Sequence, residues 1–258
     1  MDEKVLLVET LGAIRIVTLH RPQRMNSLDM NLCLALRDAV KAAAEDASVS
    51  VILIAGHGNN FCTGADIRRD REEEKAANID LIDLLHEVFL LLRHGNKPSV
   101  AAVQGHVLGA GLSLMLACDF VIADTTATFG APFTNVGLAP DIGIAITLPE
   151  RVGISTARSM LLCGATKGAT DALSAGLVDA VCGAGHALQG AIKKAELLAN
   201  RAPLATAAAR HLLNMTRDSV KDVLREESKQ QNALRLTQDA KEAIAAFTEK
   251  RKPLFKGV

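Results

Sequence analysis

Six short runs rich in β-branched and small apolar residues punctuate the chain: VLLVET (5–10), AIRIVTL (13–19), VSVILIAG (49–56), PSVAAVQG (98–105), DFVIAD (119–124) and GLVDAVC (176–182). Longer stretches with helical spacing of apolar residues separate most of them. Strands that alternate with helices predict an α/β fold with an internal sheet, because strands covered on both faces read as nearly continuous apolar runs. The first helix is expected to start near Ser27, a capping residue type, and to carry Leu32, Leu36 and Val40 on one face. A second apolar face runs through Leu81, Leu84, Leu85, Val88 and Leu92. From 187 to 251 the pattern is helical with no convincing strand, broken by NRAP at 200–203 and carrying a capping-box pattern from Ser219 to Asp222. This stretch reads as a helical C-terminal appendage.

A length of 258 residues suits one large domain or a domain with a small appendage. Lysine plus arginine and aspartate plus glutamate both count 29, so no basic footprint for nucleic acid exists. Tryptophan and tyrosine are absent, which removes most base-stacking platforms. The five cysteines are widely spaced, odd in number and without a CxxC pair, which argues against a disulfide framework and against a zinc site. The start, MDEKVLLVET, lacks the basic region and apolar core of a signal peptide, and no apolar run approaches the roughly 20 residues that span a bilayer. The expectation is a soluble cytoplasmic protein with no metal, no nucleic-acid partner and no membrane partner.

Two glycine-containing turns each follow an expected strand: GHGNNFCTGADI (56–67) and GHVLGAGLSLMLACD (105–119). Turns of this kind expose backbone N–H groups, and two side by side can hold one oxygen that carries negative charge. A dinucleotide fingerprint fails at the third glycine, where Leu114 stands. A nucleophile elbow fails because Ser113 is flanked as GLSLM. The strongest acid/base candidate is Asp141 in GLAPDIG, where Leu138, Ala139, Ile142 and Ile144 would desolvate the carboxyl and push its pKa upward. The alternative is an ordinary exposed turn in which Asp141 bonds to nearby backbone.

The motifs HRPQRMNSLD (20–29), FCTGADI (61–67), GHVLGAGLSLMLACD (105–119), FGAPFTNVGLAPDIG (129–143) and AFTEKRKPLFKG (246–257) resemble, in order and spacing, those of the crotonase, or enoyl-CoA hydratase/isomerase, superfamily over essentially the whole chain. The resemblance implies a crotonase-like spiral of ββα units over 1–195 that binds acyl-CoA. It also implies a helical C-terminal trimerisation region over 196–258, and a homotrimer or a hexamer built as a dimer of trimers. It implies that the thioester carbonyl sits between the N–H groups of Ala65 and Ala110, an oxyanion hole for an enolate. Thr63, Asp66, Ile67 and Arg68 would border the adenine end of CoA. Phe247 and Lys250, from this or a neighbouring subunit, and Arg24 would help hold pantetheine and phosphates. No separate cofactor is implied, since CoA enters as part of the substrate.

Family hydratases place two glutamates around one water, and those positions fall on Ser113 and Phe133 here. Asp141 instead falls where some isomerases and a dehalogenase of the family carry their aspartate, and the surrounding pattern resembles the phenylacetate-pathway type of enoyl-CoA isomerase. The leading expectation is therefore a double-bond isomerase with Asp141 as acid/base. The alternatives are a hydratase and a non-catalytic CoA-thioester binder, with decarboxylase or dehalogenase chemistry of the same fold behind them. Bland roles are expected for Cys62 (packing), His106 (a hydrogen-bonded structural histidine), Glu150 (a solvated helix residue), and Asp119 and Asp124 (strand-end caps).

Overall fold

The computed structural model describes residues 4–66, 80–201, 203–214, 220–251 and 253. Strands β1 (Leu6–Leu11), β2 (Ile14–Leu19), β3 (Val51–Gly56), β4 (Ser99–Val103), β6 (Phe120–Asp124) and β9 (Ala180–Cys182) form one sheet in the order β1-β2-β3-β4-β6-β9. Strands β1 and β2 form an antiparallel hairpin, and every other pair is parallel. Alternation along β3 shows why this run is continuously apolar. Ile52 and Ile54 point into one core with Val17, Ala101 and Val121, while Val51, Leu53 and Ala55 point into the opposite one with Ile14, Ile16 and Val100.

Helices cover both faces. Helix α1 (Met30–Glu45) buries Leu32, Leu36 and Val40, and α2 (Leu81–His94) buries Leu81, Leu84, Leu85, Val88 and Leu92, as the apolar spacing predicts. Helix α1 begins two residues later than a Ser27 cap would place it. Asp29, not Ser27, is its cap, with the carboxylate accepting from the Leu32 N–H at 2.9 Å. Ser27 turns instead toward Asp66, 3.2 Å away.

A second sheet of three short strands, β5 (His106–Leu108), β7 (Thr128–Gly130) and β8 (Thr166–Gly168), has the order β5-β7-β8 and lies outside what the sequence pattern predicts. Between and after these strands come α3 (Ala110–Leu116), α4 (Ile144–Cys163) and α5 (Ala169–Ser174). The C-terminal part contains α6 (Ala187–Ala199), α7 (Pro203–Asn214), α8 (Val220–Leu234) and α9 (Gln238–Thr248). The break at NRAP separates α6 from α7. The boundary expected at 195/196 falls inside α6, because this helix lays Ala191 and Ala195 on the sheet with Leu53, Val100 and Ile122. The capping pattern at Ser219 begins outside the described residues. Among the described residues no helix is long and apolar enough to cross a membrane, and no cluster of side chains could hold a metal ion.

Candidate active site

The chain leaves β3 and runs alongside β5. The Cys62 N–H donates to the His106 carbonyl at 3.2 Å, and the Leu108 N–H donates to the Cys62 carbonyl at 3.0 Å. A second bridge joins the other edge of this segment to Leu28, whose N–H donates to the Gly64 carbonyl at 2.8 Å and whose carbonyl accepts from the Asp66 N–H at 2.9 Å. In a parallel bridge the intervening residue directs its own N–H away from the partner strand. The Ala65 N–H therefore points away from Leu28.

Ala110 is the first residue of α3, so its N–H has no carbonyl within the helix to bond. The two turns meet because glycines let them. A Cβ on Gly64, whose φ is +91°, would lie 3.0 Å from the Leu108 carbonyl oxygen and 3.2 Å from the Ala110 nitrogen. A Cβ on Gly111 would lie 2.4 Å from the Cys62 carbonyl oxygen, closer than packing allows. Both Ala65 and Ala110 line one cavity of about 470 Å3.

Asp141 lines the same cavity, although its residue is 5% exposed. It is not the solvent-exposed turn of the alternative reading. The loop between Val136 and α4 carries it inward, and the next residue, Ile142, is buried with φ +53°. A β-branched residue in the left-handed region is a strained arrangement that its surroundings must enforce. Ser113 supplies part of that enforcement. It is fully buried, does not line the cavity, and donates from Oγ to the Asp141 carbonyl at 3.1 Å. The position that suggests an acid is thus a brace between α3 and the Asp141 turn. Phe133 does line the cavity and brings no proton.

Among the described residues, the carboxylates that line the cavity are Asp66 and Asp141. Asp66 is committed to Arg21, 3.3 Å away in a three-residue charge cluster with Asp29, and to the Ser27 hydroxyl. Arg24, Thr63 and Phe247 also line the cavity, and Phe247 is 54% exposed. Lys250 is exposed and does not line it, while Ile67 and Arg68 lie outside the described residues. One lining residue escapes sequence reasoning entirely: Gln231 of α8, 5% exposed, accepts from the Ala139 N–H at 3.2 Å and donates to Asp141 Oδ2 at 3.3 Å. Nothing in KQQNALRL marks one glutamine as buried, and 90 residues separate it from Asp141.

The other tempting residues divide cleanly. Cys62 is fully buried, and burial pushes its thiol up to about 12. A thiolate reagent at pH 8 is therefore expected to leave Cys62 unmodified in the folded protein and to label it in denaturant, as peptide mass spectrometry would show. His106, expected as structural, is exposed and lines the cavity. Asp119 accepts from the Ser99 N–H at 2.7 Å and pairs with Arg210, and Asp124 accepts from the N–H groups of Thr126 and Gly185, so both are local fasteners. Glu150 is exposed on α4, as expected, and pairs there with Arg93 at 2.8 Å. It lines a second, larger cavity of about 740 Å3, where Arg151 pairs with Asp179 and Arg210 with Asp119. Among the described residues, the carboxylates lining this second cavity are thus held in ion pairs.

Residues 9–258 match the family model described as enoyl-CoA hydratase/isomerase. The chain belongs to this family. Relatives of this enoyl-CoA hydratase/isomerase family member include the 2,3-dehydroadipyl-CoA hydratase of Escherichia coli, 36% identical over 98% of both chains. Among solved structures, an enoyl-CoA hydratase from Mycobacterium avium subsp. paratuberculosis superposes with a TM-score of 0.89 at 31% identity, covering 98% of each chain. An enoyl-CoA hydratase/isomerase from Pseudoalteromonas atlantica superposes with a TM-score of 0.88 at 31% identity, covering 98% of this chain and all of the other. The fold is the crotonase fold with a helical C-terminal region, as the motifs imply.

Proposed function

We propose that this family member binds an acyl-CoA thioester and moves a double bond along its acyl chain, with Asp141 as the single acid/base. The observation that carries the reading concerns the two carboxylates that line the cavity among the described residues: Asp66 is held in an ion pair with Arg21, so of these two Asp141 is positioned to trade a proton. In a 3-enoyl-CoA the Asp141 carboxylate takes a proton from the carbon next to the thioester. The electron pair of that C–H bond delocalises into the carbonyl, whose oxygen the Ala65 and Ala110 N–H groups receive. Asp141 returns the proton two carbons further along, and the double bond moves into conjugation. One carboxylate completes this cycle and no water enters the product.

Thr63 and Asp66 border the adenine end of CoA in this reading, Phe247 helps hold the pantetheine and phosphates, and Arg24 meets a phosphate. CoA arrives with the substrate, and no separate cofactor takes part. The C-terminal helices assemble trimers or pairs of trimers, a reading supported by Leu204 and Leu213 of α7, which are 86% and 73% exposed. The second reading is hydration, and what favours it is the name of the 36% identical relative, a hydratase. It asks Asp141 to activate water without the second acid, because Ser113 is turned away from the cavity and Phe133 is inert.

A two-substrate comparison separates the readings. The absorbance of the conjugated thioester rises as 3-enoyl-CoA isomerises and falls as crotonyl-CoA is hydrated. The isomerase reading predicts a kcat/KM at least about 10-fold higher for the first reaction, since only that one needs no second acid/base group. The reverse order would favour the hydratase.

A further inference from the structure

We infer that Gln231 is a positioning residue that sets the orientation of the Asp141 carboxylate, so that a helix of the C-terminal region completes the active site within the same chain. The inference rests on Asp141 being the acid/base. The orientation of the Gln231 amide is decided by chemistry: the Ala139 N–H can only donate, so the atom 3.2 Å from it is the acceptor Oε1. The amide nitrogen then faces Asp141 Oδ2 and can only donate to it, across 3.3 Å. One side chain thereby spans the PD turn, holding the backbone at Ala139 and the carboxylate at Asp141. Rotation of that carboxylate about its Cβ–Cγ bond would break the contact.

The support beneath Gln231 is firm. Helix α8 buries Val220 and Leu224 in the main core, and Arg235 bonds to Asp80 at the start of α2 at 3.2 Å. Ser228 lies 3.4 Å from His86 Nδ1 on α2. The other end of the site is equally tied, since Ser113 holds the Asp141 carbonyl. Backbone and side chain of Asp141 are thus fixed by different helices, α3 for the first and α8 for the second. A carboxylate that must take a proton at one carbon and release it at another needs a defined plane, and misplacement by about 1 Å can cost on the order of 100-fold in rate.

The test replaces Gln231 with Leu, and with Met as an unbranched second variant should the first fail to fold. Steady-state isomerisation of 3-enoyl-CoA is measured alongside thermal melting. In either folded variant kcat is expected to fall about 10-fold or more while KM stays within about twofold, because an aspartate out of plane impairs the chemical step and not the binding of CoA. In the Asp141→Asn background the same substitution is expected to cost nothing further, since the group it orients no longer accepts a proton. Wild-type kcat in folded Gln231→Leu, a raised KM at unchanged kcat, or an added loss on top of Asp141→Asn would each overturn the inference. Wild-type turnover in Asp141→Asn alone would remove the acid/base reading itself, an outcome read from the single variant without reference to Gln231.

Discussion

Replacing Ala110 with proline is expected to leave the protein folded and to lower isomerase kcat by roughly 10²- to 10³-fold, the loss typical of one oxyanion donor. Proline is suited to this position for reasons visible in the backbone. Ala110 opens α3, where the N–H bonds to nothing inside the helix and a φ near −65° is already required. The preceding residue is Gly109, with φ +52°, so no Cβ meets the proline ring from behind. The substitution therefore costs the helix little, while it replaces the Ala110 N–H with the ring Cδ, which neither donates to a carbonyl oxygen nor leaves it room at hydrogen-bond distance. The Ala65 N–H remains, which is why the expected result is a large loss and not silence. Turnover of 3-enoyl-CoA, read beside the melting temperature and far-ultraviolet circular dichroism, checks it. Full turnover in a folded variant would mean that the Ala110 amide does not receive the carbonyl oxygen.

The sheet was legible because its strands are covered on both faces, so β3 and β4 read as VILIAG and SVAAV, apolar without interruption. Strands β5, β7 and β8 were not, since HVL, TFG and TKG are too short to show any period. The start of α1 was misplaced by a competition between two capping residue types. Ser27 and Asp29 both qualify, and Asp29 takes the helix because Ser27 is engaged with Asp66.

At the site, composition and spacing singled out Asp141 by its apolar neighbours, and the buried carboxyl follows from them. Ala65 and Ala110 are invisible to such reasoning, since a backbone amide leaves no mark on the side chain that carries it. Only the resemblance of the surrounding motifs pointed to them. Ser113 stands where the resemblance places a hydratase glutamate, and what the sequence does not reveal is that its hydroxyl braces the turn that carries Asp141. Gln231 lay beyond sequence reasoning because its significance is purely tertiary. A polar residue on a polar helix becomes a site residue only when α8 folds over the PD turn.

Asp141→Asn is expected to have the largest effect of all, a loss of roughly 10²- to 10⁴-fold in kcat, the range that a positioned general acid/base contributes. Asparagine keeps the shape of the side chain, so the strained turn at Ile142 and the Ser113 brace to the backbone carbonyl persist. It can still accept a hydrogen bond, but it cannot take a proton from the carbon beside a thioester. Binding of the CoA portion is left untouched, so KM should change little, the signature of an interaction used in the transition state and not in the ground state. The most direct measurement is the rate at which wild-type protein and Asp141→Asn convert 3-enoyl-CoA to the conjugated 2-enoyl thioester, followed by absorbance at matched melting temperatures. Steady conversion by the first and a loss of at least about 100-fold in the second are expected; equal rates from the two proteins would remove Asp141 as the acid/base.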